Sequence, residues 1–548
     1  MASFFRDLPS RSLVFLLLAG FALVAVFTYL IVRTALFFLS DYLWFEKALA
    51  LALLLAEGFI LVHGVGYFLN LLHLLGEKKV LDRRTMLPPP LTEFPPIAVL
   101  VPSYHEPPSV LENTLTCFYN LTYPNKRLYL LDDTRYDLPG RDPDQMAAYR
   151  RQIDELAARL GVHVFRRRWR GAKAGIINDF LDFLDGHPPE GATLTTNGPR
   201  PPEPEKYLVV FDADMNPLPG FAEPLVAMME QNPRLAFIQT PQYYSNFETN
   251  RVAHAAGMQQ AVFYEYICEG KSLKDAMFCC GTNVIFRREA LMDVGKFDEQ
   301  SVTEDFATSL RFHQRGWSSA YRNFVSAFGM GPEDLGGFFK QQFRWALGTT
   351  GLFRRILAEW WAHPRQLSAY KWWEYFLSGT HYFIGWALFV MFLCPVLYLL
   401  FEVPSYFAWP GFYFLFFTPY IILSMTTFFW TLTHRKYRLS EAVRGQLLLA
   451  ISFPVYMRAS LQGLLGIRGT FQVTPKAGSV ALPLTQLWPQ LTLATLSFVA
   501  AVWGANRLWF ERQESAAILA NMFWCLCHSI ILYSVLYFND PDRLRSSP

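Results

Sequence analysis

Two apolar stretches near the start of the chain and four towards its end constrain what it can fold into. Each carries at most one charge over about 20 residues, the length that crosses a bilayer as a helix. They lie at 12–32, within 48–76, and at 375–401, 406–432, 487–505 and 515–537. The first is too long for a secretory leader and lacks a small-residue cleavage site, so it reads as a retained span. The second contains Glu57, an intramembrane carboxylate, which reads as a helix-packing or water-facing group. Composition agrees: 52% of residues are hydrophobic and 17% charged, against about 25% charged in soluble domains. The 49 Lys+Arg against 46 Asp+Glu leave a net charge of +3, which does not suggest a nucleic-acid-binding face. The seven cysteines have no paired or zinc-ligand spacing, and their odd number suits a reducing compartment.

Basic residues beside the spans set the expected orientation. Arg6 and Arg11, Lys78, Lys79, Arg83 and Arg84, Arg435, Lys436 and Arg438, and Arg543 and Arg545 all fall on one side. That side is expected to be cytoplasmic and to hold the polar block between spans two and three. Arg507 and Arg512, in the last outer loop, run against the pattern. Residues 440–466 and 341–362 mix apolar and basic residues, as amphipathic helices at a membrane surface do.

The polar block alternates strand-like and helix-like segments. Strands are predicted at 96–102, 127–131, 162–165 and 207–211, with helices at 109–120 and 145–160. Such alternation predicts an α/β domain built on a mostly parallel sheet. The Pro/Gly-rich stretch 186–206 reads as an exposed loop. In open α/β folds ligands bind at the carboxyl ends of the strands. Those ends carry Ser103-Tyr104-His105-Glu106, then Asp132-Asp133, then Asp212-Ala213-Asp214. Acidic residues after one strand also make ordinary turns; three such ends converging on one rim point to a binding site. Two carboxylates flanking a small residue suit a hard cation, Mg²⁺ or Mn²⁺, shared with a diphosphate.

From Asp212-Ala213-Asp214 onward the chain resembles the processive membrane-integrated family 2 glycosyltransferases. Bacterial cellulose synthase catalytic subunits and related β-glucan (curdlan-like) synthases belong to that group. Thr303-Glu304-Asp305 matches the family's TED motif, and Gln341-Gln342-Phe343-Arg344-Trp345 its QxxRW motif. Phe471-Gln472-Val473-Thr474-Pro475-Lys476 resembles its gating loop, and Phe278-Cys279-Cys280-Gly281-Thr282 its FCG segment. The resemblance implies a GT-A type transferase domain inserted in a six-helix transmembrane domain. Expected divisions are spans one and two at 1–76, the transferase domain at 77–335 and interface helices at 336–374. Spans three and four follow at 375–432, an interface helix and gating loop at 433–486, and spans five and six at 487–548.

The resemblance also implies roles. Asp212 and Asp214 would hold the metal and the donor diphosphate, and Asp305 would be the general base. Asp132, Ser103, Tyr104 and Glu106 would contact the nucleotide, with Lys173, Gln341 and Arg344 on the donor side. Thr474 and Lys476 would close over the phosphates. Trp345 would stack on the terminal sugar, beside Glu304, Cys280 and Gly281 on the acceptor side. The implied reaction is inverting polymerisation of glucose from UDP-glucose into an exported β-glucan, β-1,4 favoured. β-1,3 or mixed linkage, a non-processive transfer to lipid, and an inactive exporter are the alternatives. Expected partners are a UDP-sugar, the growing polysaccharide and the bilayer of the inner membrane, with no nucleic acid; a periplasmic or oligomeric partner is left open. Two departures stand out. No cyclic-di-GMP-sensing PilZ domain is expected after the sixth span, and the family's Asp-Asp-Gly is Asp132-Asp133-Thr134. The basic run Arg166, Arg167, Arg168 and Arg170 reads equally as a nucleotide contact or an exposed basic face.

Overall fold

The computed structural model describes residues 10–76, 88, 90–136, 138–198, 203–406, 410–435, 437–467, 480–510 and 515–540. The α/β domain is built on β1 (Ile97–Ser103), β2 (Lys126–Asp132), β3 (His163–Arg166), β4 (Thr193–Thr195) and β5 (Tyr207–Val210). Further strands are β6 (Met215–Pro217), β7 (Leu235–Gln239), β8 (Tyr243–Tyr244), β9 (Val284–Arg287), β10 (Ser318–Tyr321) and β11 (Ala327–Gly329). Eight of them form one sheet in the order β10-β7-β9-β5-β1-β2-β3-β4. The neighbours β5-β1-β2-β3 are parallel, while β9 and β4 run antiparallel. A small sheet, β6-β11-β8, stands beside it.

The central strands are apolar on both faces because helices cover both. Ile97, Val99 and Val101 of β1 point into one core with Leu111, Leu115 and Phe118 of the helix Pro108–Tyr119. Ala98 and Leu100 point into the other with Ile176, Ile177 and Phe180 of the helix Lys173–Leu184. Strand side chains alternate between faces, so one unbroken apolar run serves two cores. The 186–206 segment is not wholly a loop: β4 lies within it and pairs with β3, with Thr193 and Thr195 exposed and Leu194 packed against the core.

Among the described residues, six helices are long and apolar enough to cross a membrane. The first, Ser10–Leu39, continues past the predicted end, so Arg33 lies inside it. Arg33 is fully buried and donates from Nε to Glu57 Oε2 at 2.8 Å, while Tyr29 donates to Glu57 Oε1 at 2.7 Å. Glu57 is therefore an inter-helix packing group. The third candidate span starts at Ala369, not at residue 375, and reaches Phe401 through a 3-10 turn at His381–Phe383. Arg507 is not in an outer loop but inside the helix Trp488–Phe510. It is buried and donates to the carbonyls of Tyr398 and Leu399, at the end of the helix Ile384–Phe401. It satisfies carbonyls that a helix terminus leaves unpaired, which explains a cation that the orientation pattern does not.

Residues 440–466 are not one surface helix. Leu439–Ile451 and Phe453–Leu464 meet at a 51° bend. Pro454 cannot donate to the preceding turn, and the Ser452 hydroxyl is spent on the Leu448 carbonyl at 2.7 Å.

Candidate active site

The carboxyl ends of β1, β2 and β5 open on one rim, as the parallel register Ser103↔Asp132 requires. Asp212 and Asp214 follow β5 with Ala213 buried in the core between them. Burying the middle residue turns both carboxylates outward from the strand end. Asp212 is held from two sides: its backbone N–H donates to Thr282 Oγ1 at 2.8 Å, and Lys173 Nζ bonds its Oδ1. Lys173 opens the helix Lys173–Leu184 and also donates to the Gly281 carbonyl at 2.7 Å. Burial alone would lower the Lys173 pKa; Asp212, with Glu304 and Asp305 beyond it, outweighs this and holds the ammonium above its ordinary value.

Asp305 stands across this lysine, in the first turn of the helix Glu304–Gln314. Its Oδ1 accepts the Phe306 N–H at 2.7 Å. Withdrawal from solvent, reinforced by the neighbouring Glu304 charge, raises its pKa well above the ordinary carboxylate value. Glu304 is raised by burial too, and the Lys173 and Arg344 charges act against that. The Arg344 charge thus reaches Glu304. Gly281 lies directly against Asp305. Its φ is +85°, and a Cβ there would come within 2.9 Å of Asp305 Oδ2, so a side chain here would be strained and would displace the Asp305 carboxylate.

Gln341, Arg344 and Trp345 lie half-buried on the helix Leu335–Ala362, which starts at Asp334 capping the Gly337 N–H at 2.7 Å. This helix passes tightly over the TED turn: a Cβ on Gly348 would come within 2.6 Å of Thr303 Cγ2. The two motifs, far apart in sequence, are packed together through that glycine. Ser103 is buried, and its hydroxyl has no hydrogen-bond partner among the described residues. Asp132 is buried and engaged: Oδ2 accepts Tyr136 Oη at 2.6 Å and Arg166 Nε at 2.7 Å, and Oδ1 accepts the Thr134 N–H at 3.2 Å. Tyr104 and Glu106 are half-buried beyond β1, Tyr104 beneath the Arg135 guanidinium. Cys280 donates its backbone N–H to Gln239 Oε1 at 2.8 Å, and burial pushes its thiol pKa well up, which leaves it no nucleophilic role. Thr474 and Lys476 lie outside the described residues.

The basic run is engaged in ion pairs within the domain. Arg166 bonds Asp132 and Asp154; Arg167 bonds Asp179 at 2.7 Å and pairs with Asp133 at 2.8 Å; Arg170 bonds Asp179 and Glu299. Arg168, paired with Glu190, and Arg170 are exposed, while Arg166 and Arg167 are withdrawn from solvent. Burial pushes Asp133 up to about 7 even with Arg167 beside it. Arg167→Ala takes the Arg167 ion pair from buried Asp133 and leaves Asp179 to Arg170 alone; it is expected to cost about 3–5 kcal/mol of stability, read as a lowered thermal midpoint in detergent.

Sequence reasoning misses Gln239 and Thr282. Gln239 is fully buried at the end of β7; its amide donates to the Thr240 and Thr282 carbonyls at 2.8 and 2.7 Å. It thereby fixes the 279–282 turn. The signal is present: a polar residue closing an apolar strand, as at the other three rims.

Two family models match the chain. Glycosyl transferase family 2 matches residues 98–295, and glycosyl transferase family group 2 matches 207–432, so together they span the sheet, the TED turn and the helix carrying Arg344. The chain is a family 2 glycosyltransferase. Its α/β domain is of the GT-A type. A UDP-forming cellulose synthase catalytic subunit of Pseudomonas fluorescens (strain SBW25) is 26% identical over 83% of this chain and 58% of its own length. Putative cellulose synthase 2 of Komagataeibacter xylinus is 27% identical over 92% of this chain and 31% of its own. This glycosyltransferase therefore spans less than two thirds of either relative. Among solved structures, the mannosyltransferase PcManGT from Pyrobaculum calidifontis, in complex with GDP-Man and Mn²⁺, is 16% identical, covering 77% of this chain and 100% of its own, with a TM-score of 0.49.

Proposed function

We propose that this glycosyltransferase polymerises glucose from UDP-glucose into a β-glucan, β-1,4-linked as in cellulose, and passes it across the membrane. The observation that carries the proposal is the meeting of Asp212, Lys173, Gly281 and Asp305 at one rim. A raised carboxylate there sits opposite an anchored cation, the arrangement a direct displacement needs. Asp305 takes the proton from the acceptor hydroxyl. The hydroxyl oxygen forms its bond to the anomeric carbon as the bond to the UDP oxygen breaks, which inverts the configuration. UDP departs towards Lys173 and Arg344, whose charges receive the developing negative charge. The unpartnered Ser103 hydroxyl, at the end of β1, supports a donor seat on this rim.

The residues also fit a divalent cation. Asp212 and Asp214 are hard oxygen ligands on either side of a buried alanine, and Mg²⁺ or Mn²⁺ is commonly held by one or two carboxylates and completed by substrate phosphates. When bound, such an ion would neutralise the leaving diphosphate. Trp345, half-buried beside Arg344, offers a flat face for the terminal sugar. The relatives and the six apolar helices support a transferase domain on the cytoplasmic side of the inner membrane, with product leaving through the spans.

The test is UDP release by purified protein with Mg²⁺ or Mn²⁺, across UDP-glucose, UDP-N-acetylglucosamine and UDP-glucuronate. Release with UDP-glucose alone and a product cut by a β-1,4-glucanase is expected. A product cut only by a β-1,3-glucanase overturns the linkage, and release without polymer overturns processivity.

A further inference from the structure

A charged group that the proposed chemistry does not use lies buried between the transferase domain and the spans. Lys271, on the helix Cys268–Leu273, is 2% exposed, and so is Glu374 on the helix Ala369–Thr380 that opens the third candidate span. Lys271 Nζ lies 3.1 Å from Glu374 Oε2 and donates to Ser378 Oγ at 2.6 Å. The other Glu374 oxygen accepts Asn70 Nδ2 at 3.0 Å, from the second span, and Tyr370 donates to Asn70 Oδ1 at 3.0 Å. Spans two and three and the transferase domain thus meet at one ion pair.

The other side of Lys271 faces the site. Its Nζ stands 4.8 Å from the centroid of the Phe278 ring, in the segment that leads into Gly281. Phe278 packs on Phe306 at 4.7 Å, and Phe306 stacks on Tyr375 at 5.6 Å. Phe306 is the residue whose N–H holds Asp305 Oδ1. Tyr375, next to Glu374, hydrogen-bonds His313 at 2.7 Å near the far end of the Asp305 helix. The helix that carries the proposed base is therefore docked at both ends on the helix that carries Glu374.

We propose that Lys271, seated by Glu374, is a positioning residue that sets Asp305 against the acceptor through the Phe278–Phe306 ring pair. The inference rests on the reading of Asp305 as the base. It places the pair's effect on the acceptor side, away from Asp212 and the diphosphate. A buried ion pair replaced by apolar side chains commonly leaves stability unchanged or raised, so stability and positioning are separable.

The experiment compares wild type, Lys271→Leu, Lys271→Arg and the double variant Lys271→Leu/Glu374→Leu. It reads UDP-release kcat, donor KM, thermal midpoint and hydrogen exchange across residues 276–283 and 304–310. Lys271→Leu is expected to lower kcat about tenfold to a hundredfold, the cost of a misplacement near an ångström, with donor KM unchanged and both segments exchanging faster. The double variant is expected to recover the thermal midpoint but not kcat or slow exchange, and Lys271→Arg to keep most of the rate. Recovery of kcat with the midpoint in the double variant would reduce the pair to a structural tie and overturn the proposal. So would a Lys271→Leu effect confined to donor KM, or unchanged exchange. If the wild type releases no UDP from any donor, the reaction assigned above fails, while hydrogen exchange still decides whether Lys271 orders the Asp305 turn.

Discussion

Asp305→Asn is expected to lower UDP release by about 10²–10⁴-fold, the span of general acid–base contributions, with UDP binding kept. An amide accepts the Phe306 N–H as the carboxylate does, so the turn is preserved while the proton acceptor is lost. The wild-type pH profile provides the companion signature. Only the deprotonated carboxylate works as a base, and withdrawal from solvent together with Glu304 raises its pKa. Activity should therefore fall with decreasing pH through that raised value, at a pH above the range of an ordinary carboxylate. The residual rate of the variant should lack this acid limb. Full activity in Asp305→Asn, or an acid limb at the ordinary carboxylate position, would remove Asp305 from the role.

Asp212→Asn is expected to be nearly as damaging, for a different reason. Asp212 anchors Lys173, which also grips the Gly281 carbonyl beside Asp305. The amide removes a proposed metal ligand and the charge that keeps the ammonium in place. Metal-assisted charge stabilisation is worth several kcal/mol, and each 1.4 kcal/mol is tenfold in rate, so a loss of roughly a hundredfold or more follows. Titration calorimetry with Mn²⁺ and UDP should show weakened binding of both, in contrast to Asp305→Asn, which should bind both. Intact affinity in Asp212→Asn would place the diphosphate elsewhere.

The parts of this site that are legible in the sequence are those where a strand ends. Ser103, Asp132 and Asp212 each close an apolar run, and a parallel sheet puts the carboxyl ends of its strands on one side. Linear order does not reveal what those residues touch once there. Arg166, Arg167 and Arg170 look like a basic patch because their partners come from other elements: Asp132 and Asp133 after β2, Asp179 from the following helix and Glu299 from a distant turn. The bend at Ser452–Phe453 and the shift of the third span to Ala369 escape a composition-based reading, because apolar content does not record where a helix breaks or begins. Gly348 is unremarked in sequence, yet its contact with Thr303 brings QxxRW onto TED.

The Arg33–Glu57 pair carries a consequence for biogenesis. An arginine at the centre of a lone span costs about 2.5–3.5 kcal/mol to insert, and an acidic residue is penalised in the same way. Here the two charges neutralise each other across helices Ser10–Leu39 and Trp44–Gly76, which are separated by residues 40–43 alone. Neither helix is at ease in lipid by itself, but the pair is. Entry of the first two candidate spans into the bilayer together, as a hairpin, is the expected order, since it leaves neither charge alone in lipid. Arg33→Leu would free the first helix to insert alone and strand Glu57 in the second.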